Sequence, residues 1–171
     1  MPAADTRPVS TWPLLWETLR AQRRNLLIGT LFFLIPYNLL MYGVNDVFDY
    51  ESDLRNPRKG GIEGALLDPK YHRLTLVLAF GFAAPFALAL STVNLNATFW
   101  LWLTLFAVVA YSVKGLRFKE IPFLDSLTSS WHFVGPLVVG LAMAQVEIIG
   151  PLVTGIAAFL IWGMASHAFG A

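Results

Sequence analysis

Apolar runs separated by unequal polar connections organise the chain. Five stretches, near 25–44, 73–93, 97–113, 127–144 and 148–169, carry almost no charge. Each approaches the roughly 20 residues that a helix needs to cross about 30 Å of hydrocarbon. The pattern predicts an all-α polytopic membrane protein with about five transmembrane helices. Pro36, Pro85, Pro136 and Pro151 fall in or at the ends of four stretches, where neighbours or water must satisfy a freed carbonyl. Kinks around an internal cavity are one expectation, and simple packing is the other. Before residue 25, Trp12, Leu15, Trp16 and Leu19 recur at helical spacing behind Pro2, Pro8 and Pro13. They predict an amphipathic interfacial helix within 1–24, with 25–171 as the transmembrane domain. It is no signal peptide, because Arg20, Arg23 and Arg24 follow the apolar residues and no small-residue cleavage site is evident.

The connections 45–72 and 112–126 are long, polar and rich in Lys and Arg, whereas 94–96 and 145–147 are short and nearly neutral. Strict alternation puts the long pair on one side, which the positive-inside rule makes cytoplasmic. Arg20, Arg23 and Arg24 then fall on the outer side, an anomaly that one more crossing before residue 25 would remove. The composition agrees with a membrane class: 56% of the 171 residues are hydrophobic and 13% charged, with mean hydropathy +0.59. Absence of Cys excludes disulfides, thiolate metal ligands and a Cys nucleophile. Three scattered His residues make no zinc motif, and no pattern points to nucleic acid.

Candidate chemistry gathers at the end of the first apolar run, Asn45-Asp46-Val47-Phe48-Asp49-Tyr50-Glu51-Ser52-Asp53. On a helix, Asp46, Asp49 and Asp53 line one face over two turns, joined by Asn45. Stacked carboxylates repel unless a cation sits among them, and hard oxygens suit Mg²⁺ shared with substrate phosphates. Arg55, Arg58 and Lys59 follow and would complement those phosphates. The alternative is a solvated charge cluster, disfavoured because the carboxylates continue an apolar helix. Asn38 and Tyr42 precede Asp46 on its face, as cavity lining or as interhelical hydrogen-bonding groups.

A second cluster comprises Tyr111, Ser112, Lys114, Arg117, Lys119 and Asp125. Its cations serve either as ordinary positive-inside residues or as contacts for a diphosphate. Asp125 is expected to cap the next helix, with orientation of Arg117 or Lys119 as the alternative. His132 is expected to be a hydrogen-bonded core residue rather than a cavity-lining one, His167 structural or interfacial, and Glu147 solvated.

Asn45-Asp46-x-x-Asp49-x-x-x-Asp53 resembles the first aspartate-rich motif of the UbiA superfamily of intramembrane prenyltransferases. Tyr111-Ser112-Val113-Lys114-Gly115-Leu116-Arg117-Phe118-Lys119 resembles that family's segment between its fourth and fifth helices. The resemblance implies a helical bundle around a cavity, in which an allylic prenyl diphosphate is held through Mg²⁺ and its prenyl group passes to a lipophilic acceptor. It implies metal and diphosphate binding by Asn45, Asp46, Asp49 and Asp53. Diphosphate contacts would come from Arg58, Lys59, Lys114, Arg117 and Lys119, with Tyr111 over the reacting carbon. Tyr42–Asp49 and Asn56–Gly64 look most like the lycopene elongase branch, associated with C50 carotenoids in bacteria and bacterioruberin in archaea. That branch implies a prokaryotic cell membrane, dimethylallyl diphosphate as donor and lycopene as acceptor, with the acidic motif on the cytoplasmic side. A quinone, chlorophyll or archaeal-lipid precursor is the alternative acceptor.

The family pattern has about nine membrane helices and a second aspartate-rich motif at the end of the sixth. Asp125 is followed by no acidic residue except Glu147. The expectation is therefore a partial UbiA-type bundle, inactive alone and completed by further sequence or by a second chain. A non-catalytic subunit binding prenyl diphosphate or carotenoid is the rival, and a small transporter is disfavoured because no inverted repeat is visible.

Overall fold

The computed structural model describes residues 12–61 and 64–170. They form an all-α, membrane-spanning bundle of α1 (Trp12–Leu34), α2 (Pro36–Phe48), α3 (Tyr50–Asp53), α4 (His72–Leu90), α5 (Leu95–Ser112), α6 (Leu124–Met143) and α7 (Gly150–Gly170). Single 3₁₀ turns at Pro69–Tyr71 and Phe118–Glu120 enter α4 and α6.

The expected boundary at residue 24 falls inside α1, which runs unbroken from Trp12 to Leu34. The side chains of Trp12, Leu15 and Leu19, which carried the amphipathic pattern, lie outside the described residues, as do Pro2 and Pro8. Interruption comes instead at Ile35 (φ −121°, ψ −70°), immediately before Pro36. Proline lacks an N–H, so carbonyls of the preceding turn lose a partner. The Asn38 amide supplies one, donating to Phe33 O at 2.7 Å and Leu34 O at 3.1 Å. Asn38 thus repairs the backbone of its own helix pair and does not line the cavity.

Four helical stretches are long and apolar enough to cross a membrane: Arg20–Phe48, Pro69–Leu90, Leu95–Ser112 and Gly150–Gly170. The expected fifth, α6, falls short because Asp125, Ser126, Thr128, Ser129, Ser130 and His132 fill its first half. Burial explains this polarity. α6 packs against α5, α7 and α1, with Thr128, Ser130 and His132 all buried. Close approach there depends on glycine: a Cβ at Gly135 would stand 2.5 Å from Thr104 Oγ1 of α5. One at Gly163 of α7 would collide with Ser130, whose hydroxyl donates to Leu160 O at 2.8 Å. The apolar core lies between α1, α2, α4, α5 and the second half of α6, around Phe32, Leu40, Val44, Leu90, Leu101 and Val139. Its position leaves the polar face of α6 turned toward the end of α2.

Candidate active site

The acidic stretch straddles the α2–α3 junction. Asp49 sits between the helices in right-handed helical geometry (φ −97°, ψ −3°), so the chain keeps its helical course from Asn45 to Asp53. The three carboxylates nevertheless divide between two sets of cations. Asp46 Oδ1 and Asp53 Oδ2 converge on Lys59 Nζ, at 3.4 and 3.0 Å. Asp49, only 5% exposed, pairs through Oδ1 with Lys119 Nζ, and Arg117 Nη2 stands 4.0 Å from the same oxygen. Its Oδ2 accepts from Asn45 Nδ2 at 2.9 Å.

Local backbone geometry delivers these cations. After α3 the loop turns through Gly60 and Gly64, both at φ 86°, with Gly60 N–H donating to Gly64 O at 2.7 Å. Positive φ costs glycine nothing, and the turn accompanies the return of Lys59 to the carboxylates. Arg117 itself is left-handed (φ 41°, ψ 53°), following Gly115 at φ 96°. A non-glycine residue in that region is strained, a cost found where neighbouring contacts fix a functional side chain. Here Arg117 donates to Glu120 Oε1 at 2.5 Å and to Phe48 O at 3.4 Å.

Burial pushes the Asp49 carboxyl above the ordinary aspartate range, outweighing Lys119 and Arg117, with Asp53 adding in the same direction. For Lys59, burial acts downward but the Asp53 and Asp46 carboxylates prevail and raise it. The structure therefore gathers Asn45, Asp46, Asp49, Asp53, Lys59, Arg117 and Lys119. Arg58 and Lys114 are exposed, and among the described residues neither forms an ion pair with Asp46, Asp49 or Asp53.

A cavity of 480 Å³ opens beside the cluster. Asn45, Asp46 and Lys59 line its polar part, Met41, Val108 and Phe133 an apolar wall, and Tyr42, Tyr111, Ser129 and His132 also face it. His132 is buried, as expected of a core residue, and also lines this cavity.

Sequence reasoning missed the network behind Tyr111. Its hydroxyl donates to Asp125 Oδ1 at 3.0 Å. Asp125 Oδ2 lies 3.0 Å from His167 Nε2, and His167 Nδ1 lies 3.1 Å from Ser129 Oγ. Asp125 therefore links α5, α6 and α7. It does not cap α6, whose first helical residue follows Phe123 with no side-chain cap. It contacts neither Arg117 nor Lys119 by a described hydrogen bond or ion pair. The available signal was the rarity of ionisable residues in apolar helices; 42 residues separate Asp125 from His167, and no short motif joins them.

Against this geometry, residues 8–170 match the model of the UbiA prenyltransferase family. The chain belongs to that family. Similar UbiA-type relatives include the "C(50) beta-cyclic carotenoids biosynthesis protein LbtBC" of Dietzia sp., 58% identical over 84% of this chain and 34% of that protein. A lycopene elongase/hydratase of Corynebacterium glutamicum is 49% identical over 84% of this chain and 50% of its own length. One from Haloarcula japonica is 37% identical over 82% and 46%. The chain spans about half the length of these elongase/hydratases or less. No solved structure matches it.

Proposed function

We propose that this UbiA-family chain forms the donor side of an intramembrane prenyltransferase. The reaction moves a prenyl group, dimethylallyl by preference, from its diphosphate to lycopene or a related carotenoid. The resulting acceptor cation is then captured by water or loses a proton. One observation carries the proposal: Asn45, Asp46 and Lys59 line the polar end of the cavity, and Asp49, Asp53, Arg117 and Lys119 complete the charge cluster beside it. The relatives' carotenoid names support the acceptor, and the Lys and Arg residues of the 45–72 and 112–126 connections support a cytoplasmic site in a prokaryotic membrane.

The residues fit Mg²⁺. Asp46 and Asp53 already converge on one positive group, the Lys59 ammonium, and hard oxygen donors match that ion. Asp46 and Asp53 would hold it, with Asn45 and Asp49 beside them. When bound, it neutralises charge growing on the leaving diphosphate. Lys59 would supply its ammonium to a phosphate oxygen, and Arg117 and Lys119 would meet the diphosphate from the α5–α6 connection. The allylic C–O bond breaks with its electron pair leaving on oxygen. Tyr111, tethered through its hydroxyl to Asp125, presents a ring to the allylic cation in place of water.

The test uses membranes carrying the full-length gene product, supplied with lycopene, dimethylallyl diphosphate and Mg²⁺. Elongated carotenoid is expected. Prenylation of a quinone precursor with lycopene untouched would overturn the acceptor, and no transfer to any acceptor would overturn the activity.

A further inference from the structure

His132 is 7% exposed yet faces the cavity. Its Nε2 has no hydrogen-bond partner among the described residues, while the backbone of Ala107 serves the ring's other nitrogen. An Nδ1–H donated to a carbonyl leaves Nε2 as a bare lone pair, an acceptor and base. The ring is held in place. Tyr37 OH donates to the His132 backbone carbonyl at 3.0 Å, and the Tyr111 ring packs edge-on at 5.2 Å and 80°.

Leaving such a nitrogen unsatisfied costs stability, and packing alone would be served as well by an apolar side chain of similar size. Ser129, one turn earlier on α6, lines the same cavity. Nε2 and Ser129 Oγ provide two polar groups, enough for an ordered water. Tyr111 places this pair beside the ring assigned to the reacting carbon.

We infer that His132 is a catalytic residue that holds a water in the cavity and takes its proton, thereby setting whether the product is an alcohol or an alkene. The inference rests on the prenyltransferase activity proposed above. The acceptor's π pair forms the new C–C bond and leaves a tertiary cation on the acceptor. A water lone pair then forms a C–O bond, one O–H bond breaks, and Nε2 receives that proton before passing it to solvent. Without the water, an adjacent C–H bond surrenders its pair to form C=C, and the product is anhydrous.

The experiment compares full-length wild type, His132→Leu and His132→Gln in membranes, with lycopene and dimethylallyl diphosphate in ¹⁸O-labelled water. Expected is ¹⁸O in the wild-type alcohol and a fall of at least about tenfold in the alcohol-to-alkene ratio for His132→Leu. His132→Gln, which accepts a hydrogen bond but is not basic, should fall between them. An unchanged ratio in both variants overturns the inference, as does wild-type product without labelled oxygen. Should both variants fail to accumulate, wild type in D₂O decides: the ratio falls if water is deprotonated in the product-determining step, and an unchanged ratio counts against it. Absence of any transfer by wild type removes the underlying activity, a result distinct from transfer with an unaltered ratio.

Discussion

Lys119→Met removes the ammonium paired with Asp49 and leaves Arg117, at 4.0 Å from Oδ1, to answer a carboxylate only 5% exposed. Truncating one side of a buried pair costs about 3–5 kcal/mol when nothing replaces it. Two features lower that figure. Arg117 can close on the vacated oxygen, and Asn45 still donates to Oδ2, so about 2 kcal/mol is expected. The pH dependence has a definite sign. Asp49 has a folded pKa above its unfolded value of 3.8, so its ionisation costs stability as pH rises through that window. Loss of Lys119 widens the window upward. The variant should match wild type in acid and show its full deficit near neutrality. Denaturant unfolding of the full-length protein in bicelles measures this, with Asp49→Asn and the double variant completing the cycle. A coupling of about 1–3 kcal/mol is expected at neutral pH. Additivity within about 0.5 kcal/mol, or a deficit growing toward acid, would refute the pairing.

Asp125→Ala should lower prenyl transfer far more than Asp125→Asn, which still accepts from Tyr111, and should add little in a Tyr111→Phe background; kcat against KM for the diphosphate is the measurement. Gly135→Ala, forced against Thr104, should destabilise by about 1–3 kcal/mol through overpacking, measured by thermal unfolding of the purified full-length protein. Asn38→Ala should cost about 1–2 kcal/mol by orphaning carbonyls at the Pro36 break, read by the same method.

The acidic stretch was legible because the backbone stays helical across the α2–α3 junction, so i, i+3 and i+7 spacing survives at Asp49. Lys59, Arg117 and Lys119 were legible as charges near a membrane face, but their division between carboxylates was not. That division depends on the Gly60–Gly64 turn and the left-handed Arg117, neither visible to periodicity. Apolar run length located α4, α5 and α7 closely. It located α6 as well, although Ser, Thr and His side chains that bury against neighbouring helices lower its hydropathy just as solvent-facing ones would. The break at Pro36 was placed inside one crossing, where proline chemistry alone does not say which side chain repairs it; Asn38 does. The Tyr111–Asp125–His167 network was hidden for a plainer reason. Its members come from three helices, and only packing brings them together.

A site for metal and diphosphate at the α2–α3 junction should show itself in Mg²⁺-dependent binding of a non-hydrolysable allylic diphosphate analogue to the full-length protein. Titrations with and without Mg²⁺ should compare wild type, Asp46→Ala, Asp49→Ala and Glu51→Ala. The carboxylate geometry predicts loss of the Mg²⁺ dependence in the two Asp variants and its retention in Glu51→Ala, since Glu51 is exposed and belongs to neither cation set. Equal loss in all three, or Mg²⁺ dependence intact without Asp46 and Asp49, would contradict a metal and diphosphate site at this helix junction.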